Sequence, residues 1–503
     1  MERELCALTN FFVNIMVDCM NSDNTVYKIR HVSKETEIGS FEDAIYKAAC
    51  GYVSKKSKKS VATKEYYARK YASSFSRKNK KKLTDESYIK EQDFSEINTL
   101  FPELFKIPFS QPKKPAFTFI DLFSGIGGFH QAMHQLNGKC LLSSEIDSYA
   151  IDTYLDNYGF DSAKDITKIK DDDFPKHDVL CAGFPCQTFS KAGKQLGFSD
   201  RTKGTLFFQI VRILKNEKIR PNYIILENVR NLLSHDNGNT WKVIKNTLNE
   251  VGYNFKEILM SPHQLGVPQL RERVYILGVR KELYDGELKF TVPRVKKETL
   301  DIYKAGIIDE NPDPKYKISK HEEKVLNCWD EFYKGIKETV IGFPIWFSEF
   351  KATYDTSALP DWKAEFCHKN RKLYLRNKEF IDSWIEKWDN LNDFTPTERK
   401  FEWQAGESIQ SLWDGFIQYR PSGIRVKRPD SFPALVAIVQ IPIIGKFKRR
   451  LTPREAARLQ SFPDEFMPNV NDHQAYKQFG NAVNVNCVKF LAEQLFQYGK
   501  GVK

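Results

Sequence analysis

Short apolar runs alternate with longer amphipathic stretches through the middle of the chain. Residues 117–123, Phe-Thr-Phe-Ile-Asp-Leu-Phe, form one such run, which ends in Ser-Gly-Ile-Gly-Gly, and residues 129–136 then carry helical spacing. The reading is strand, glycine turn, helix. Similar runs recur at 140–144, 179–182, 223–226 and 274–279, separated by segments such as 204–215 and 240–251 that are long enough for helices. Strands that alternate with helices predict an α/β fold, a Rossmann-like, mostly parallel sheet with helices on both faces. From about 281 to 449 the pattern degrades into irregular, Trp- and Tyr-containing sequence with Pro and Gly breaks, so a smaller inserted domain without simple periodicity is expected. Thr452 and Pro453 then restart helix as N-cap and first position, and 450–503 read again as α/β material.

Ahead of this core, residues 1–113 read as a separate module closed by a linker, Ser110-Gln-Pro-Lys-Lys-Pro115. A length of 503 residues allows about three domains. With 41% hydrophobic residues, 37 Phe and 22 Tyr, global disorder is excluded. The net charge of +12 is concentrated, because 55–82 hold twelve Lys/Arg against the single acid Glu65. Tyr66, Tyr67, Tyr71 and Phe75 interleave with those cations, which fits an arm along a phosphate backbone about as well as a solvated tail. Nine cysteines without a CxxC pair argue against a zinc site or disulfide framework. No apolar run reaches the length of a membrane span, and Glu2, Glu4 and Asp18 interrupt the N-terminal stretch, so a soluble, cytoplasmic protein with reduced thiols is expected.

Candidate chemistry gathers at the carboxyl ends of the expected strands, where open α/β sheets bind ligands. Asp121-Leu-Phe-Ser-Gly-Ile-Gly-Gly128 puts glycines where a ligand can approach the backbone, although a purely structural turn explains such a motif equally well. Glu145, after the next run, can accept hydrogen bonds from a ribose diol; Asp165 could take an adenine amino group or simply cap a helix. Cys186, in Gly183-Phe-Pro-Cys-Gln-Thr-Phe-Ser190, sits in a polar, proline-stiffened loop suited to a thiolate, whereas Cys140 and Cys181 read as small core residues. Glu227-Asn228-Val229 brings a second acid to the same edge. Gln269-Leu-Arg-Glu-Arg273 adds two cations on alternate residues, which point the same way in an extended segment.

In their order these segments resemble the C5-cytosine DNA methyltransferases of the bacterial restriction-modification type. The resemblance covers about 114–280 and 450–500, including Arg450-Leu-Thr-Pro-Arg-Glu455, Leu459-Gln-Ser-Phe-Pro-Asp464 and Gln478-Phe-Gly-Asn-Ala-Val-Asn484. It implies S-adenosylmethionine bound by Phe123, Gly125, Ile126, Gly127, Glu145, Ile146, Asp165, Ile166 and the Gly480-Asn481 segment. It also implies a flipped-out cytosine held over Cys186 by Glu227 and Arg271, with Arg273 supporting. Gln187 and Ser190 are then expected at the DNA, and 281–449 as the target recognition domain. Within that domain Gln418-Tyr-Arg-Pro-Ser-Gly-Ile-Arg-Val-Lys-Arg428 suggests a loop presenting Arg420, Arg425 and Arg428 to phosphates or guanine edges.

The resemblance makes duplex DNA the expected substrate, with a monomeric enzyme and a cognate restriction endonuclease as functional partner. Two readings compete with it. An RNA-directed relative typically shows Pro-Pro-Cys where this chain has Phe184-Pro-Cys186, and has a smaller insert. A silent DNA-binding protein on the same fold would have no need for Cys186, Glu227 and Arg271 together.

Overall fold

The computed structural model describes residues 107–185, 206–295, 299–309, 311–337, 342–433, 440–469 and 471–499, with the backbone of 27–28 and 37–38. Its contacts divide the chain into Met1–Ser110 with Asp156–Gly159, and Gln111–Leu155 with Phe160–Lys503. In the first unit Tyr27–Lys28 pairs antiparallel with Glu37–Ile38; the basic stretch 55–82 lies outside the described residues. The catalytic and recognition candidates from Phe123 to Asn481 all belong to the second unit.

Four apolar runs form the parallel strands, because a strand covered on both faces needs side chains that can be buried on both. These are β1 (Phe117–Leu122), β2 (Gly138–Ser144), β3 (Val179–Ala182) and β4 (Tyr223–Val229). Two further strands, β5 (Tyr253–Met260) and β7 (Arg273–Arg280), join antiparallel; the short β6 (Gln269–Leu270) lies between them in the chain. The sheet order is β2-β1-β3-β4-β7-β5. The expected parallel sheet is therefore mixed. β5 escaped the apolar-run pattern because only its two end residues are fully buried.

α1 (Gly128–Gln135), α2 (Ser148–Tyr158), α3 (Leu206–Lys215) and α4 (Asn239–Glu250) follow β1 to β4 in turn. On one face Ile120, Leu180, Ile224 and Ile276 pack with Phe207, Ile210 and Leu214 of α3 and Ile244 and Leu248 of α4. Each such side chain contributes about 1.5–3 kcal/mol when fully buried. On the other face Phe496 meets Phe117 edge-on at 5.1 Å and Tyr223 at 5.2 Å, so the chain's last helix covers the sheet where it began.

The insert is more regular than its sequence suggested. α5 (Lys320–Gly335), α6 (Asp361–Arg376) and α7 (Lys378–Lys387) pack on a six-stranded sheet of β8 (Ile345–Trp346), β9 (Lys400–Gln404), β10 (Phe416–Arg420), β11 (Gly423–Lys427), β13 (Ile443–Ile444) and β14 (Arg449–Arg450). Ser319 and Glu322 form a capping box at the start of α5. Trp329 stacks on Phe401 at 5.0 Å, and its indole N–H donates to the Glu398 carbonyl, so Trp329, Trp384 and Trp403 belong to the core. Lys317 bridges antiparallel to Arg449 at the edge of this sheet. Residues just after 281 stay with the main sheet's helices: the Lys289 amide donates to Tyr498 Oη and the Thr291 amide to Gln494 Oε1. β12 (Phe432–Pro433) leaves the insert to pair parallel with β6, and Phe432 stacks on Phe416 at 4.0 Å.

Beyond Arg450 the described residues hold three helices, α8 (Pro453–Leu459), α9 (Asp472–Asn481) and α10 (Val485–Leu495), and no strand, which corrects the expected α/β return. Thr452 and Pro453 do start α8, with Glu455 completing a capping box. Among the described residues no helix is long and apolar enough to cross a membrane.

Candidate active site

The chain reverses its direction of travel across the sheet between β1 and β3, and the carboxyl ends of strands at such a switch point open a crevice. A cavity of about 420 Å³ lies there, a size suited to a nucleoside-sized ligand. The glycine motif forms one wall. Phe123 (φ 55°), Gly125 (φ 53°) and Gly127 (φ 84°) take left-handed conformations that turn the chain sharply from β1 into α1. A Cβ built on Gly125 meets nothing within 4 Å, so its missing side chain leaves open cavity. Gly128 differs. A Cβ there would stand 2.7 Å from the Val483 carbonyl and methyl, so this glycine lets α1 dock on the C-terminal segment.

Glu145 ties the second wall to the first. Its Oε2 accepts the Gly125 amide at 2.8 Å, and its Oε1 accepts the amides of Ile146 and Asp147 at 2.7 and 2.9 Å. Ile146 is 77% exposed beside the cavity, an unusual place for an apolar side chain and one suited to covering an aromatic ring. Asp165 caps a turn rather than a helix, since its Oδ1 accepts the Thr167 amide and hydroxyl. Phe123, Ile126, Asp165, Ile166 and Asn481 all line the cavity with Gly125, Glu145 and Ile146. Three carboxylates, Glu145, Asp147 and Asp165, line it with two lysines, Lys164 and Lys477, an acidic excess that favours a cationic ligand, and the buried Glu227 adds a fourth carboxyl.

Pro185 and Glu227 line the same cavity, so it runs without a break from the glycine turn to the start of the Pro-Cys-Gln loop. Cys186, Gln187 and Ser190 lie outside the described residues. The segment preceding Cys186 is held firmly: the Asn228 side-chain amide donates to the Phe184 carbonyl at 2.8 Å, and its oxygen accepts the Val229 amide. That role for Asn228 escaped the sequence reading, although Asn beside a strand-end acid is a signal of it.

Glu227 is buried at the end of β4. Burial pushes its carboxyl pKa up, against the pull of Arg273 and then Arg271. The two arginines have different partners among the described residues. Arg273 makes the ion pair, with Nε 3.2 Å from Glu227 Oε1. Arg271 instead donates through Nη2 to the carbonyls of Gly480 and Ala482, both at 2.9 Å, and so braces the wall that carries Asn481. Burial, and then the charge of Arg273, lowers the Arg271 pKa to about 10.

The arginines of the insert also differ in setting. Residues 416–427 form the β10–β11 hairpin, so Arg425 sits mid-strand opposite Glu402 rather than on a loop. Its Nε and Nη2 reach Glu402 at 2.8 and 3.2 Å. Arg420 approaches the same carboxylate at 4.0 Å, and Arg428 pairs with Asp430 at 3.3 Å. All three cations thus have acidic partners in the insert.

Comparison with known proteins places the chain in a family. The family model for C-5 cytosine-specific DNA methylase matches residues 117–497. The Type II methyltransferase M1.ScrFI of Lactococcus lactis subsp. cremoris is 35% identical over 79% of this chain and 82% of its own length. M.AluI of Cellulosimicrobium cellulans is 32% identical, covering 75% and 91%. M.HhaI of Haemophilus parahaemolyticus is also 32% identical, over 74% and 92%. With the glycine turn, the buried Glu227 and the Pro185 edge sharing one cavity, and the match running across both the sheet and its insert, this chain belongs to the C-5 cytosine-specific DNA methylase family.

Proposed function

We propose that the protein transfers a methyl group from S-adenosylmethionine to carbon 5 of a cytosine flipped out of a specific duplex DNA sequence, and so protects host DNA from a restriction endonuclease. The observation that carries this reading is the single acidic cavity reaching from the glycine turn and Glu145 to Pro185 and Glu227. The residues present fit the cofactor: Gly125 leaves room for it, Glu145 faces it, and Ile146 and Phe123 can cover its adenine. When bound, S-adenosylmethionine supplies an electrophilic methyl group.

The chain's own residues prepare the ring that accepts it. Carbon 5 of cytosine is a poor nucleophile, so the Cys186 thiolate adds first at carbon 6 and pushes electron density toward carbon 5. Charge then builds on N3 and O2. Glu227, whose pKa is raised by burial, meets N3 as a carboxyl able to donate its proton, and Arg273, turned toward the same acid, stabilises O2. Arg271 acts at one remove by fixing Gly480 and Ala482. Removal of the carbon 5 proton by a base then lets the thiolate leave. Asn228 holds Phe184, two residues before Cys186. In the insert, Arg420, Arg425 and Arg428 exchange their Glu402 and Asp430 partners for the target duplex when it binds; the basic stretch 55–82 adds sequence-independent affinity.

Bisulfite sequencing of DNA from cells expressing the protein tests this reading. It predicts 5-methylcytosine confined to one sequence context. Unmodified DNA, with methyl label entering transfer RNA instead, would contradict it.

A further inference from the structure

The cavity has a clasp that the chemistry above does not use. Asp147 lies two residues beyond Glu145, on the loop after β2; Lys477 lies on α9, one turn before Asn481. Both line the cavity, and Lys477 Nζ donates to Asp147 Oδ2 at 2.9 Å. An ordinary surface ion pair contributes little, because two mobile side chains must be ordered to make it. Asp147 is already ordered. Its Oδ1 accepts the amides of Tyr149 and Ala150 at 3.0 and 3.2 Å, while its own amide donates to Glu145. The carboxylate is therefore held at one orientation before Lys477 arrives. Burial works to raise the Asp147 pKa, and the Lys477 hydrogen bond with the two amides outweighs it. Alongside, Gln478 Nε2 donates to the Tyr149 carbonyl at 2.9 Å, so α9 and the start of α2 are joined at two neighbouring points.

We infer that the Asp147–Lys477 ion pair is a clasp that positions the Glu145 loop against α9, and that these two positioning residues set how tightly the cofactor is held. The inference rests on the cavity being the S-adenosylmethionine site. Its physical content is closure: the loop carrying Glu145 and Ile146 and the helix carrying Asn481 belong to chain segments about 330 residues apart. Among the described residues this is the ion pair that joins those two walls. Without it the walls separate more readily and the ligand leaves faster.

A double-mutant cycle on the full-length protein tests the clasp. Asp147→Asn keeps an oxygen for the Tyr149 and Ala150 amides and removes only the charge; Lys477→Gln removes the other charge. The probes are S-adenosylhomocysteine binding by calorimetry and the KM for S-adenosylmethionine. Each single variant is expected to weaken binding about two- to fivefold, the range of a partly exposed pair, and the double variant no more than either single. KM rises more than kcat falls, and Lys477→Arg restores binding. Multiplying effects in the double variant, or unchanged binding in both singles, would overturn the clasp while leaving the cofactor site intact. A wild-type protein that binds neither molecule would remove the cofactor reading, and the clasp with it.

Discussion

Arg273 stands 3.2 Å from Glu227, within a site that buries both the acid and the neighbouring Arg271. A carboxyl whose pKa is raised by burial despite two nearby cations favours its protonated form more than a solvent-exposed glutamic acid does. Activity that depends on the proton of Glu227 therefore falls as pH rises through that raised pKa. Glu227→Gln, which cannot give up a proton, is expected to lose about 10²-fold or more in kcat, as general acid catalysis and charge stabilisation are lost together. The fall in rate above the raised pKa is expected to flatten in this variant. Wild-type stability moves in the same direction with pH. The folded-state pKa lies above the unfolded value, so the wild type loses stability as pH rises from the unfolded toward the folded pKa, a pH dependence that Glu227→Gln is expected to lack. Pre-steady-state rates and urea melts across a pH series check both halves.

Asn228 gives a second test. Asn228→Ala removes the donor to the Phe184 carbonyl and leaves a buried acceptor without that partner, which costs about 1–3 kcal/mol. Phe184, two residues before Cys186, then loses its anchor. A drop in kcat of about tenfold or more is expected, since small misplacements of reacting groups are costly, with KM for S-adenosylmethionine changing less. A variant with wild-type kcat would show that the anchor has no part in placing the thiol.

Gly128→Ala separates the two uses of glycine in one motif. Its new methyl would meet the Val483 carbonyl and methyl at 2.7 Å, forcing α1 away from the segment that carries Asn481. Overpacking of this kind costs about 1–3 kcal/mol, and weaker cofactor binding is expected to accompany the lower melting temperature. Gly125→Ala instead enters open space, so its penalty comes from its φ of 53° and the occupied cavity, and is expected mainly in affinity.

Asp121, in the same motif, is buried at the centre of the sheet, and burial pushes its carboxyl pKa well up. Its folded-state pKa thus exceeds the unfolded value near 4, and the protein loses stability as pH climbs from there toward the folded pKa. Asp121→Asn is expected to match the wild type below about pH 4 and to become relatively more stable as pH rises. Thermal melts at several pH values check this. A stability difference independent of pH would show that the carboxyl does not titrate on unfolding.

The strands are legible in the sequence because buried parallel strands leave unbroken apolar runs, such as Tyr-Ile-Ile-Leu before Glu227. The site is legible because its segments are short and each ends a strand. The features that stay hidden depend on distant contacts. Nothing local says that Arg271 reaches Gly480, 209 residues away, or that Arg273 takes Glu227. The helices of the insert are obscured for a different reason. α6 buries Cys367, Asn370, Leu373 and Tyr374 among many lysines and other polar residues, so its apolar stripe is too narrow to stand out. The Ser319–Glu322 capping box before α5 is the one local signal there that marks a helix start. Pro-Ser-Gly at 421–423 has the composition of a recognition loop, yet β9 and β13 flank the two strands it joins, turning it into an ordinary hairpin inside a sheet.

The central claim is a transient bond between Cys186 and carbon 6 of an extruded cytosine. The most direct measurement incubates the purified protein and S-adenosylmethionine with duplex DNA carrying 5-fluorocytosine at the methylated position, then resolves the mixture under denaturing conditions. Fluorine at carbon 5 cannot leave as a proton does, so the bond cannot be undone after methyl transfer. The account predicts a denaturation-resistant protein–DNA adduct that maps to Cys186 by mass spectrometry and vanishes in Cys186→Ser. An absent adduct, or one that persists in Cys186→Ser, would contradict it.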